Sequence, residues 1–406
     1  MLVAAALGVL TARVLGINGR GIYAAPMVDA GIATAAFTGL ASAVSYYLLR
    51  KDAGRSIVRA ALIAATVFVL GASIITALLA WMAHAPWAAI PAVLSLPGPA
   101  VLMLASGYAT GTHRIRLTSS LTVASSAFFL IIMASVFVGV SRTPYAAIAV
   151  WVSTTNLAGL AILIWIFRDS RSLPNGSIDA RAFVTYALRT GAVSLVTLLN
   201  YRADMYIVAV LGTPAMLGMY TLAVSASETL LTVTQVTAVV TAPHIGSLDD
   251  RAAAELAARS VRHNVLVSSF CCALLAIAAP LAVQLLYGNA FAAVVPALRI
   301  LLVGVFALSL GSPMSTYFTI RLGRPEVALV LASASAAVCI AGSLMLVPKL
   351  GLVGAALSSS SAYVLGQAAA ILYFRFVSGI GTRTMLIPRL TDVRAYASAL
   401  TSMIGS

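Results

Sequence analysis

Eight charged side chains lie where the surrounding chain is apolar: Arg13, Arg20, Asp29, Arg189, Arg202, Asp204, Glu228 and Arg299. An ionised group near the centre of a bilayer costs roughly 2.5–3.5 kcal/mol on insertion scales, so such residues usually face a partner or a wet cavity. Arginine offers a planar fork that holds two oxygens of a phosphate at once. A carboxylate in the same setting binds a cation, takes up a proton or neutralises an arginine. In the stretch "LLNYRADMYIVAVLG", 198–212, two of these charges stand two residues apart. Arg202 and Asp204 are about 200° apart on a helix, so they do not share a face. Two readings stay open for them: an ion-pair lock that closes one mouth of a passage, or a basic surface that draws an anionic ligand. Arg13 and Arg20 break the loop-charge pattern described below and point to ligand binding. Arg299 points to a structural or interfacial place. Glu228 is either a cation or proton site or the partner of a buried arginine. Arg189 lies near a helix end, where its long side chain can snorkel to the surface.

The elements that must position these groups follow from composition. The chain has 406 residues, 61% hydrophobic and 9% charged, where soluble domains carry about 25% charged residues. Apolar runs of about twenty residues recur throughout, which predicts an all-α polytopic membrane protein. Twelve helical spans are expected: 1–15, 22–49, 57–81, 89–108, 117–140, 146–167, 183–211, 216–240, 265–287, 295–318, 327–347 and 352–376. The first is short for a full crossing and is read as a span rather than a cleavable signal.

The net charge of +14 comes from 23 Arg and two Lys. Most basic residues fall in alternate loops: Arg50, Lys51, Arg55 and Arg59; Arg114 and Arg116; Arg168, Arg171 and Arg181; Arg251, Arg259 and Arg262; Arg321 and Arg324; then Arg375, Arg383, Arg389 and Arg394. The positive-inside rule explains this alternation without nucleic acid and puts both termini in the cytoplasm. On that orientation Arg202 and Asp204 lie within about 14 Å of the outer end of their span, and Asp29 about 10 Å deep. Glu228 lies about 18 Å deep, near the midplane. The outer loops, such as "LGTP" and "YGNA", are turn-length.

The chain also looks doubled. Gly21-x-Tyr23 opens the second span and Gly218-x-Tyr220 the eighth, 197 residues apart, and "YATGTHRIRLTSSLTVAS" at 108–125 is loosely echoed by "YFTIRLGRPEVALVLAS" at 317–333. Two six-helix lobes related by a pseudo-twofold axis along the membrane normal are expected. They span 1–168 and 183–377, with a cytoplasmic linker 169–182 and a cytoplasmic tail 378–406. The segment "SLDDRAAAELAARSVRHN" reads as a surface linker helix, with capping-box spacing of Ser247 and Asp250 and i,i+4 pairs Arg251–Glu255 and Glu255–Arg259. Pro91, Pro97 and Pro99 should distort the fourth span.

Other chemistry finds no motif. His84, His113, His244 and His263 are scattered without metal spacing, and Cys271, Cys272 and Cys339 form no disulfide framework. "GINGRG" lacks the strand–helix setting of a dinucleotide loop. The sequon "NGS" at 175–177 falls on the cytoplasmic side. No cofactor is expected.

Four blocks, in order, carry a resemblance: "TARVLGINGRGIY" at 11–23, "LNYRADMYIVAVLG" with "LGMYTLAVSASETLL" and Pro243, "LLYGNAFAAVVPALRILLVG" at 285–304, and "VPKLGLVGAALSSSSAY" at 347–363. The chain resembles a polysaccharide (O-antigen-type) flippase of the multidrug/oligosaccharidyl-lipid/polysaccharide exporter superfamily. The resemblance implies two lobes around a central cavity in a bacterial inner membrane. It implies an undecaprenyl-diphosphate-linked oligosaccharide turned from the inner to the outer leaflet by alternating access, for surface polysaccharide or lipopolysaccharide synthesis. It implies partners in that lipid, the bilayer and a coupling cation or proton. Related lipid II flippases use arginines near the first span for the diphosphate, and Arg13 and Arg20 lie at similar places. The rival readings are a cation-coupled multidrug exporter, motivated by Asp29 and Glu228; a membrane enzyme, disfavoured by the turn-length outer loops; and a non-transport scaffold, motivated by the short first span.

Overall fold

The computed structural model describes residues 2–49, 56–112, 114–172 and 178–389. Arg50, Lys51, Arg55, His113, the sequon at 175–177 and Arg394 with the end of the tail lie outside the described residues, as does the side chain of Arg116. The described chain is helical, from α1 (Leu2–Thr34) through α2 (Thr38–Leu49), α3 (Ser56–Met82), α4 (Pro86–Ser95), α5 (Pro97–Gly111), α6 (Ile115–Gly139) and α7 (Pro144–Asp169) to α8 (Ala180–Leu211). It continues with α9 (Pro214–Ser247), α10 (Asp250–Tyr287), α11 (Val294–Ser309), α12 (Gly311–Thr316), α13 (Pro325–Ser378) and α14 (Thr382–Leu386).

Nine helices among the described residues are long and apolar enough to cross a membrane. Two of them, Ala5–Leu49 and Glu326–Ser378, run to 45 and 53 residues, about twice the ~20 that one crossing needs. Each is a hairpin turned at one glycine. Gly16 has φ 66° and Gly351 φ 57°, a region that L side chains enter only with strain. Arg20 reaches the carbonyl of Gly8 at 2.9 Å, although twelve residues of straight helix would separate the two by about 18 Å. Beyond Gly351, the Ser335 hydroxyl likewise meets the carbonyl of Ala362 at 3.0 Å. With the apolar helix Val123–Gly139 of α6, these hairpins give the twelve expected spans. The loop expected between the first two is absent: "INGRG" is already helix.

The proline cluster breaks the fourth span into α4 and α5 around Leu96. Pro97 and Pro99 have no N–H to give the preceding turn. The break also parts the Gly98 N–H from the Leu94 carbonyl, and both are met from α7, where the Asn156 side chain accepts from the Gly98 N–H and donates to the carbonyl of Leu94.

The helices pack as two compact units, Met1–Met219 and Tyr220–Ser406. The core of the first is rich in small residues, with Ala30, Ala33, Ala60, Ala61, Ala64 and Ala187 packed around Phe37, Phe68 and Phe183. Small side chains let helix backbones approach where lipid gives no hydrophobic drive to association. At the crossing of α2 and α8, a Cβ on Gly39 would strike the carbonyl of Ala187, and one on Gly191 would lie 2.5 Å from the carbonyl of Ala36. Large apolar residues such as Leu70, Ile74 and Ile131 point outward, as a lipid-facing surface requires.

In the second unit the expected surface linker helix is instead the first third of α10. Asp249, not Ser247, caps it, accepting from the Ala252 N–H at 2.7 Å. The Arg251–Glu255 pair forms at 3.3 Å on the exposed side. The opposite side carries Ala253, Ala254, Ala257, Ala258 and Val261, all buried against Met314, Phe318, Phe374 and Met385. That alanine stripe is an amphipathic face, and its burial is why the segment does not stand apart.

Candidate functional site

In the first unit the polar groups gather on α1 and α8. Asp29, on α1, is 2% exposed. Among the described residues its carboxylate forms no hydrogen bond and no ion pair, and the group within its electrostatic reach is the Tyr206 phenol on α8. That phenol donates to the carbonyl of Leu79 on α3 at 2.9 Å. Asn200 and Asp204, one turn apart on α8, are also buried, and the Asn200 Oδ1 has no hydrogen-bond partner. The Asp204 carboxylate accepts from the Met205 N–H at 2.7 Å. Arg202, on another face of α8 as its spacing predicts, is half-buried, with Nη1 3.8 Å from the Met205 sulfur.

The other predicted residues are placed differently. Arg13 is exposed at the end of the first arm of α1. Arg20 is buried. Its guanidinium donates to Gly8 and Thr11 on that first arm and, through Nε at 3.2 Å, to the carbonyl of Gly218 on α9. Arg189 is exposed on α8. In the second unit Glu228 is half-buried on α9, and Arg299 is exposed on α11 with its Nε donating to the carbonyl of Ala276 at 3.0 Å. Glu228 and Arg299 therefore belong to a different unit from Asp29, Arg202 and Asp204. No group of three or more metal-ligating side chains occurs among the described residues.

Sequence reasoning missed Tyr206, Thr76 and Asn200. Thr76 on α3 is fully buried with an unpartnered hydroxyl. Uncharged polar residues are common in membrane helices, and only the i,i+4 spacing of Asn200 and Asp204 could have singled any of them out.

Compared by sequence, the chain matches no family model and no curated protein. By structure it is similar to an inward-facing multidrug resistance MATE-family transporter of the MOP superfamily, with TM-score 0.73 at 17% identity over 93% of this chain and 94% of the other. It is also similar to the lipid II flippase MurJ in an inward closed conformation, with TM-score 0.71 at 13% identity over 96% of this chain and 88% of the other. The fold is that of the MOP-superfamily transporters. A third MOP-superfamily structure, from Pyrococcus furiosus, has TM-score 0.64 at 16% identity over 93% of this chain and 91% of its own, and is described as having a binding pocket of reverse polarity that suggests a different function.

The charges within the spans differ in exposure. Within the spans, Arg13, Arg189 and Arg299 are exposed, Arg202 and Glu228 are half-buried, and Arg20, Asp29 and Asp204 are buried. The fully exposed charges there are arginines, and the carboxylates are half-buried or buried.

Proposed function

We propose that this protein turns an undecaprenyl-diphosphate-linked oligosaccharide from the inner to the outer leaflet, by alternating access of two six-helix lobes, 1–168 and 183–377. The observation that supports this reading is that the fully exposed charges within the spans are arginines, Arg13, Arg189 and Arg299. A diphosphate carries charge that such arginines bind by paired hydrogen bonds. Arg13 is the group placed to meet it first, because it is accessible where Arg20 is tied to backbone carbonyls. Surface polysaccharide synthesis, O-antigen included, is the setting that the sequence resemblance favours.

The test is reconstitution. Proteoliposomes holding the protein and a fluorescent lipid-linked diphosphate oligosaccharide should expose the lipid to an outer-face quencher, and Arg13→Ala should slow this at least tenfold at unchanged expression. Equal rates with and without protein would overturn the reading. A cation-coupled drug exporter is the second reading, favoured by the buried carboxylate of Asp29, which has no hydrogen bond or ion pair among the described residues. Drug accumulation in inverted vesicles, driven by a proton or sodium gradient and absent in Asp29→Asn, would replace the first reading with it.

A further inference from the structure

In the second unit, Arg299 stands on an apolar surface with its guanidinium fixed in place. Most of α11 is buried, and its exposed stripe is Pro296, Arg299 and Val303, at i, i+3 and i+7. The neighbouring helix α10 turns outward Phe270, Leu274, Ile277 and Leu281, large apolar residues at i, i+4, i+7 and i+11. That spacing keeps them on one side of the helix. Large exposed apolar side chains are what acyl chains require of their neighbour, so the arginine shares its surface with lipid-facing residues.

A proline ties the side chain there. Pro280, inside α10, has no N–H, so the carbonyl of Ala276, four residues back, loses its helical donor. Arg299 Nε donates to that carbonyl at 3.0 Å. Membrane helices tolerate proline where a neighbour meets the freed group in this way. A guanidinium has five N–H donors. The other four of Arg299 make no hydrogen bond or ion pair among the described residues. With Nε occupied, the two Nη groups are the open end of the fork.

The place also lies below the helix ends. Arg299 is about 8 Å along α11 from Val294, and Ala276 about 16 Å along α10 from Tyr287. The bond to Ala276 holds the side chain against α10, so it does not stretch to the surface as a snorkelling arginine does. An arginine exposed to lipid at such a depth draws polar headgroups inward.

We propose that Arg299 binds the phosphate of an anionic glycerophospholipid in the leaflet at the α10–α11 turn, the outer one on the charge-derived orientation. The open Nη pair takes two phosphate oxygens, and the apolar stripe of α10 lies along an acyl chain. A zwitterionic head carries its own cation beside the phosphate and competes with the arginine, so a net negative head is preferred. The proposal assigns Arg299 to the bilayer, leaves the cargo diphosphate to Arg13, and holds whichever cargo is carried.

Native mass spectrometry of the detergent-solubilised protein, titrated with phosphatidylglycerol or phosphatidylcholine, tests it. The parent should bind its first phosphatidylglycerol at least fivefold more tightly than phosphatidylcholine, and Arg299→Gln should weaken phosphatidylglycerol binding at least fivefold. Arg299→Gln also strips the Ala276 carbonyl of its donor, so Pro280→Ala is added to restore a helical N–H. The double variant should regain the Tm lost by Arg299→Gln and still bind phosphatidylglycerol weakly; if Arg299→Gln does not fold, the double variant decides alone. Parent-like phosphatidylglycerol binding in either folded variant overturns the site and leaves Arg299 serving only the proline break. Equal affinity of the parent for the two lipids overturns the anionic preference. No glycolipid is present, so a failure here and a failure of lipid flipping are separately visible.

Discussion

The side chain of Asn156 stands in for a backbone hydrogen bond at Gly98. In an unbroken helix the Gly98 N–H would donate to the carbonyl of Leu94. Here the N–H donates to Asn156 Oδ1 at 3.1 Å, and the Asn156 amide donates to that carbonyl at 2.8 Å. Gly98 also lets α7 come close, since a Cβ there would strike the carbonyl of Thr155. Asn156→Ala leaves a donor and an acceptor unpaired in a low-dielectric setting, at roughly 1–3 kcal/mol. The detergent-solubilised protein should lose several degrees in Tm, and an unchanged Tm would mean that the helix re-forms its own bond.

The α2–α8 crossing should be as sensitive. Gly39→Ala places a methyl group against the Ala187 carbonyl, and backbone cannot move aside as a flexible side chain can. Overpacking of this kind costs about 1–3 kcal/mol. Gly8→Ala and Gly31→Ala, where nothing lies within 4 Å of the added atom, serve as controls and should leave the melting temperature within about a degree. A destabilised control would show that helix propensity, not packing, governs these sites.

These two sites mark what could be read from the sequence. The spans could be read because hydropathy depends only on runs of about twenty apolar residues. The hairpin at Gly16 could not, because "GINGRG" has the composition of a loop, yet the helix resumes after one left-handed residue. The positions of the intramembrane charges were legible, but not their surroundings. Asp29 meets the field of Tyr206, a residue on another helix that no periodicity connects to it. Asn156, at the end of the polar run "STTN" in "VWVSTTNLAGLAIL", was a visible polar interruption with a use that only the proline break explains. The linker-helix reading of 244–264 saw the charged face of α10 and overlooked the alanine face behind it.

Asp29 makes a prediction of opposite sign. A buried carboxylate with no hydrogen bond and no ion pair among the described residues is a burden on the folded state. Asp29→Asn keeps the shape and removes the charge, so it should stabilise the protein by roughly 1 kcal/mol or more. If the carboxylate titrates during the cycle, the same variant should lose gradient-driven transport. Thermal unfolding and vesicle transport, measured on the same preparations, decide both points. A lower Tm would show instead that the carboxylate serves the fold.

The short helix α14 is held against α10. Met385 is fully buried, and Arg262, itself 7% exposed, donates to the carbonyl of Thr384 at 2.8 Å. Met385→Ala should cost about 2–5 kcal/mol where the site stays closed, and the local answer is for α14 to detach. Trypsin should then cut after Arg383 several-fold faster than in the parent, and Arg262→Gln should have a similar but smaller effect. Equal cleavage rates would mean that α14 is held by other contacts.

Arg202 and Asp204 are not interchangeable. Asp204 is 2% exposed and takes a hydrogen bond from the Met205 N–H, so its site is built around an acceptor. Arg202 is half-buried on another face, with its guanidinium near a methionine sulfur. Exchanging them puts five N–H donors where a backbone N–H already points. The double variant Arg202→Asp/Asp204→Arg should therefore be less stable than either Arg202→Gln or Asp204→Asn, and should not recover transport. On the proposed flippase reading, Arg202→Gln alone should fold with a Tm near that of the parent and lose transport. If the exchange restores both stability and transport, the two charges act as a lock, and Arg13 keeps the anion-facing role without Arg202.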